Sequence, residues 1–300
     1  MDHLNRKERL EKFAILLLTS IIWGLSFPMQ TKSVQFVEPY TINAIRYPIG
    51  ALSLLPLLLR RKVKWSSETF LAGLSCGFCL FLASSLQQVG MQYTSSGKAG
   101  FITTFYIVLV PIFSLFIGKK NRLLNWIAAF IAIYALYLLS VNEELGAVQQ
   151  GDFLIFLCSI VFSIHILLID YFSPKVDNIA MSSLQFLVAG ILSSFLVLRF
   201  ESPNWASIQQ AAFPLFFLGV ISCGVAYTLQ IVGQRGLNPS VASLLLSLES
   251  VFALLFATLL LGERLSSREL LGCALMFGAV ILSQLPDKKE NSDLRKENES

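Results

Sequence analysis

The sequence predicts an all-α polytopic membrane protein, and three observations carry that prediction. Of the 300 residues, 55% are hydrophobic and 14% charged, with a mean hydropathy of +0.66, where a soluble domain is about 25% charged. The apolar residues are gathered into membrane-length runs rather than scattered. The loops between the runs are very short and polar. A run of 18 or more apolar residues crosses a hydrocarbon core roughly 30 Å thick. Lipid cannot satisfy a free amide, so each run must pair its own backbone groups as a helix.

Ten spans are expected, at 13–31, 39–59, 70–90, 98–117, 124–140, 151–170, 180–199, 211–232, 240–261 and 268–285. The first follows the basic stretch Arg6–Lys12, carries Trp23 and lacks a small-residue cleavage site, so it reads as a retained helix rather than a signal peptide. Span two holds Arg46 and Pro48, and span three holds Gly73 and Gly77 four apart. That pair lets a neighbouring helix approach closely. Span four opens with Lys98 and contains Pro111; span five is uninterrupted. Span six contains His165 and ends near Asp170, and span seven contains Gln185. Span eight carries Pro214, Tyr227 and Gln230, with Gln234 one turn on; span nine carries Glu249. Span ten leads into a polar tail, 286–300, expected to be disordered and cytoplasmic.

Lys and Arg decide the orientation. With the N-terminus in the cytoplasm, 17 fall on the inner side and 5 on the outer, while Arg46 lies inside a span. Both termini are therefore expected in the cytoplasm, in a multi-pass protein of the cell (inner or plasma) membrane. The net charge of +4 belongs to loops and tails and builds no nucleic-acid face. The five cysteines all sit in apolar runs. Cys76 and Cys79 form a C-x-x-C without two further ligands, so no metal site is expected.

The chain repeats itself weakly. "GLSCG" at Gly73–Gly77 returns as "GVISCG" at Gly219–Gly224, and "LYLLS" ending at Ser140 returns as "AVILS" ending at Ser283. The spacing from Cys76 to Ser140 is 64 residues, and from Cys223 to Ser283 it is 60. Five spans is an odd number, so the second repeat (151–285) is expected upside down relative to the first (13–140).

These pieces resemble the drug/metabolite transporter superfamily in its EamA branch. The resemblance runs from about Ile15 to Gln284 and rests on "WGLSFP" (Trp23–Pro28), "RYPIGAL" (Arg46–Leu52), "GMQYTSSGKAGFITTFYIVLVPIFSL" (Gly90–Leu115), "GDFLIFLCSIVFSIHILLIDYFS" (Gly151–Ser173) and "LLGERL" (Leu260–Leu265). It implies ten spans in two inverted repeats, and transport of small organic solutes such as amino acids, other metabolites, nucleotide sugars or phosphorylated sugars. Related sequences usually read Glu-Pro in span nine; this chain has Glu249-Ser250, which leaves a kink there in question.

Charge inside a bilayer costs about 2.5–3.5 kcal/mol at a helix centre on insertion scales. The charged groups in the spans are therefore the first candidates for substrate or coupling roles. Glu249 is placed to bind a cationic group or a proton, or else to form a structural pair. Arg46 is placed for a carboxylate or phosphate, or to snorkel outward. Lys98 lies near the interface, where it can meet an entering anion. His165 is either a relay or an interhelical hydrogen bond. Tyr227, Gln230 and Gln234 share one helix face. With Gln88, Gln92 and Tyr93 of span three, Trp23 and Gln30 of span one, and Gln185, they are expected to line a cavity.

No phosphate-binding loop, H-E-x-x-H or G-x-S-x-G is present, so neither an ATP-driven pump nor an enzyme is expected, and no cofactor. The expectation is a secondary transporter exporting a small, amino-acid-like metabolite by alternating access. Its partners are the solute and the lipid bilayer, with a homodimer left open. The other class is a non-transporting membrane sensor or assembly partner. The driving force stays open.

Overall fold

The computed structural model describes residues 5–60, 63, 65–94, 96–119, 121–140, 150–261 and 266–284; the tail expected at 286–300 lies outside them. Among the described residues every element is helical. The helices are α1 (Arg6–Ser33), α2 (Pro39–Arg60), α3 (Ser67–Gly90), α4 (Ser96–Thr103), α5 (Tyr106–Phe116), α6 (Leu123–Ser140), α7 (Gln150–Phe172) and α8 (Asn178–Phe200). A short α9 (Trp205–Gln210) follows, then α10 (Ala212–Phe216), a π-helical segment (Phe217–Tyr227) and α11 (Thr228–Gln234) as one continuous stretch. α12 (Pro239–Leu246), α13 (Leu248–Leu261) and α14 (Ser267–Gln284) are the last elements among the described residues. Among the described residues eight stretches are long and apolar enough to cross a membrane; α6 and α14 contribute shorter apolar stretches, Leu123–Leu138 and Leu270–Ser283.

The helix starts are written locally. Asn5 and Glu8 form a reciprocal capping box at α1. Asp177 accepts the amides of Ile179 and Ala180 at 3.0 Å to start α8, and Asn238 caps α12, whose first residue is Pro239. α2 is different. Its free amides at Tyr40 and Thr41 are met by Glu201, 160 residues away, at 2.8 and 2.7 Å. This carboxylate joins the end of α8 to the start of α2.

Two spans expected to be single helices are interrupted. The 98–117 span divides into α4 and α5 at Thr104–Phe105, and the 240–261 span divides into α12 and α13 at Ser247. The second break forms without a proline. Serines replace it: the Ser247 hydroxyl donates to the Leu244 carbonyl and the Ser250 hydroxyl to the Ser247 carbonyl, both at 2.8 Å. Short side chains that bond nearby carbonyls compete with the helical ladder and bend it. The middle of the 211–232 span is π-helical, which the periodicity did not signal.

The surface is apolar and the interior partly polar, the reverse of a soluble domain. Phe116, Leu198 and Leu259 are among the most exposed large side chains, while Ser20, Gln88, Thr104 and Ser163 are buried. Many buried hydroxyls bond to their own helix, as Ser20 does to the Leu16 carbonyl at 2.9 Å and Ser163 to the Ser159 carbonyl at 2.7 Å.

α2 packs on α8, α3 on both α7 and α8, α6 on α14, and α1 on α13. Glycines set the closest approaches. A Cβ at Gly73 or Gly77 would run into Leu184 or Val188 of α8. On the π segment, one at Gly219 or Gly224 would run into Ile49 or Ser53 of α2. The repeated sequence motif therefore does the same packing job twice.

Candidate functional site

Where α1 meets the two broken spans, the bundle encloses a cavity of ≈ 40 Å³, room for roughly three water molecules. α1 contributes Trp23, Ser26, Phe27 and Gln30; α2 contributes Arg46 and α3 Gln87. The first broken span gives Thr103 and Tyr106, α7 gives Phe162, His165 and Ile166, and the π segment with α11 gives Ser222, Tyr227 and Gln230. The second broken span closes the wall with Leu246 and Glu249.

The two charges are held differently. Arg46 is 3% exposed. Its guanidinium donates to Gln30 Oε1 at 3.2 Å and to the Tyr47 hydroxyl at 3.1 Å, and lies 4.9 Å from the Tyr47 ring centroid. Gln88 donates to the same Gln30 oxygen. Arg46 Nε has no hydrogen-bond partner, and no carboxylate among the described residues forms an ion pair with it.

Glu249 is 4% exposed and sits in the first turn of α13. There the start of the helix carries partial positive charge that favours a carboxylate. Its Oε1 accepts a hydrogen bond from the Tyr106 hydroxyl at 2.9 Å. The break at Ser247 is what places the start of a helix, and so this favourable field, in the middle of a span.

Between the charges stands an aromatic wall. Trp23 and Tyr227 meet edge to face at 4.7 Å, and His165 meets Tyr227 at 6.2 Å. His165 Nε2 lies 3.0 Å from Gln185 Oε1. Several buried polar atoms around the cavity lack protein partners: Trp23 Nε1, His165 Nδ1 and Gln230 Oε1 besides Arg46 Nε. Such atoms are costly unless a bound group meets them.

Of the expected site residues, Trp23, Gln30, Arg46, His165, Tyr227, Gln230 and Glu249 come together in this one cavity. Gln88 and Gln185 stand behind it, bonded to Gln30 and His165. Gln234 is buried farther along α11, where it donates to the Ile166 carbonyl at 3.3 Å. Gln92 and Tyr93 are not brought to this cavity: α3 ends at Gly90, and both are exposed beyond its end. Lys98 lies in α4, and its side chain is outside the described residues.

Tyr106, Thr103, Ser26, Phe162 and Ser222 were not among the expected site residues. A signal for Tyr106 exists. Tyr106 and Glu249 are 143 residues apart, and the same offset relates Gln87 to Gln230 and Gly90 to Gly233. Aligning "QQVG" with "QIVG" places Tyr106 opposite the one acidic residue of span nine.

The sequence profile of the EamA-like transporter family matches twice, over residues 12–141 and 149–285. An uncharacterized transporter of Archaeoglobus fulgidus is 32% identical over 278 residues, covering 90% of this chain and 84% of that protein. The uncharacterized transporter YoaV of Bacillus subtilis is 22% identical, covering 89% of this chain and 94% of its own length. The uncharacterized inner membrane transporter YedA of Escherichia coli is 24% identical, covering 93% and 92%. A solved crystal structure superposes with a TM-score of 0.78 at 18% identity, covering 91% of this chain and 96% of the other.

Proposed function

The chain belongs to the EamA-like transporter family, and from that premise we propose that it exports a small, amino-acid-like solute by alternating access. Membership makes it a multi-pass membrane transporter. The finer reading is carried by one observation: Arg46 and Glu249 are both buried on the same cavity and form no ion pair with each other. A buried charge without a counter-charge costs several kcal/mol. A solute with a carboxylate at one end and an ammonium at the other offsets both costs at once. A doubly charged phosphate offsets only Arg46 and is repelled by Glu249.

Alternating access needs two bodies that rock about the site. Ten spans in two inverted five-helix halves, 13–140 and 151–285, with both termini cytoplasmic, supply them. In this reading α6 and α14 are spans five and ten; 18 residues of helix reach about 27 Å. The packing supports the duplication, because it keeps its pattern when the halves are exchanged. α2–α8 and α6–α14 map onto themselves, and α3–α7 maps onto the contact of α1 with α11 and the π segment.

The test is metabolite export from whole cells, comparing the parent chain with Glu249→Gln at equal membrane abundance by mass spectrometry of medium and cytosol. A zwitterionic solute moved outward by the parent alone is the expected result. The same shift in both removes Glu249 from the mechanism, and outward movement only of anionic phosphates removes the amino-acid-like reading.

A further inference from the structure

Tyr106 and Glu249 join the two interrupted spans at their breaks. α4 ends at Thr103 and α5 begins at Tyr106; α12 ends at Leu246 and α13 begins at Leu248. At the first break the backbone switches to tighter bonds, Phe105 N–H to the Ile102 carbonyl at 3.2 Å and Ile107 N–H to the Thr104 carbonyl at 3.0 Å. An interrupted ladder is where a helix bends.

The far end of α5 is tied down as well. Gly118, at φ 76°, reverses the chain after α5 in a conformation glycine adopts without strain. Lys119 then forms an ion pair with Asp170 of α7, whose side chain is 8% exposed. Asn121 accepts a hydrogen bond from the Ser240 hydroxyl of α12 at 2.6 Å, while its own amide donates back to Ser114 of α5 at 2.8 Å. α5 is thus pinned at both ends by side chains from the second half of the sequence. Between the pins Val110 sits buried in an apolar cluster with Ile166 and Leu244. Apolar faces part without orphaning hydrogen bonds, so the polar pins decide whether α5 stays in place.

Building on the transport reading, we propose that Tyr106 positions the Glu249 carboxylate for the solute and that α5 is the wall that opens the cavity. Tyr106 holds Oε1 and leaves Oε2 to the solute, so a substrate bound at Glu249 is read by both halves. The Tyr106–Glu249 bond pins one end of α5, the Lys119–Asp170 pair and the Ser240–Asn121 bond pin the other, and Thr104–Phe105 is the hinge. Opening occurs on the face of the membrane that carries Lys119 and Asp170.

The experiment uses the full chain in sealed membrane vesicles of each orientation, with Val110→Cys as reporter and a membrane-impermeant maleimide as probe. The unsubstituted chain gives the background from the native cysteines. Tyr106→Phe deletes one hydrogen bond and is expected to raise Val110→Cys labelling about fivefold, from the Lys119 face only. Glu249→Leu and Asp170→Asn are expected to do the same. Glu249→Gln keeps an oxygen to accept the Tyr106 bond, so its labelling stays at the parent level.

Labelling of Tyr106→Phe at the parent level overturns the proposal, as does equal labelling of Glu249→Gln and Glu249→Leu. Should Tyr106→Phe not reach the membrane, a Lys119→Cys/Asp170→Cys pair tests the same movement. With the same pair in a chain that keeps Val110 as the background for the two added thiols, its disulfide must suppress Val110→Cys labelling and a reductant must restore it; labelling unchanged by the disulfide overturns the proposal. No solute enters this measurement, so its failure leaves the transport reading standing, and a failed export experiment leaves the labelling result standing.

Discussion

The Arg46 wall and the Glu249 wall of the cavity solve the same problem, a buried charge, by different means. Arg46 sits within an unbroken stretch of α2 and relies on neutral partners: one amide oxygen, one phenol and one ring face. Glu249 relies on backbone, because a break in its span puts a helix start beneath it, and on one phenol supplied by the other half. The first arrangement is a set of side-chain contacts on a continuous helix. The second is a joint, since the carboxylate is held at a place where both spans are already interrupted. In the proposed transport reading the charge at the joint reports on movement, while the charge on the unbroken wall sets what is held.

Removing each charge in turn puts this contrast at greatest risk. A charge-assisted hydrogen bond is worth roughly 1.5–3 kcal/mol, about 10- to 150-fold in affinity. Arg46→Gln and Glu249→Gln are each expected to lower export of the solute by that range, measured as initial efflux rate. Arg46→Lys keeps the charge but not the planar fork and should recover only part of the rate; full recovery would reduce Arg46 to a point charge. The two walls should then differ in stability. Glu249→Gln keeps its bond to Tyr106, so the melting temperature of the solubilised protein is expected to hold. A large fall would make Glu249 structural instead.

The packing of the two halves is next in size. Gly77→Val on α3 and Gly224→Val on the π segment each force a side chain into an occupied space, against Val188 and Ser53 respectively. Overpacking costs about 1–3 kcal/mol, and the two variants should lose similar thermal stability. A loss at only one would show that the two halves do not share the same packing role. A smaller effect is expected from Gln185→Leu, which strips His165 of its hydrogen-bond partner and should cost about 1–2 kcal/mol without changing which solute is exported. The smallest belongs to Ser250→Pro. The break at Ser247 already exists, and residue 250 lies in the first turn of α13, where proline is tolerated. Proline removes both bonds that the Ser247 carbonyl accepts from Ser250, one from its N–H and one from its hydroxyl; both donors leave together and one carbonyl loses its partners, so the cost should be about 1 kcal/mol. A greater loss, seen in the melting curve, would show that the serine break and a proline kink are not equivalent.

Legibility followed the physics of each feature. The eight long spans were readable because lipid admits only long apolar helices. Arg46, His165 and Glu249 stood out because charge and imidazole are rare in such helices. Tyr106 did not stand out, being one aromatic among many in an apolar run; only its register against Glu249 marks it. Gln92 and Tyr93 lie beyond the end of α3, which polarity could not show, because it marks where a residue is unusual and not where its helix ends. The break at Ser247 was hidden because its cause is a set of hydroxyl bonds rather than a proline.

Sequence alone put this chain in a membrane, showed roughly where it crosses, and marked the side chains too costly to bury there without a purpose. Those properties depend on transfer from water to lipid, which is nearly additive along a chain. It took the folded arrangement to establish that Arg46 and Glu249 share one cavity without touching, that Tyr106 holds Glu249, and that α5 is pinned at both ends. These depend on which helices meet and at what height, and that is set by close packing at Gly73, Gly77, Gly219 and Gly224 between segments more than a hundred residues apart.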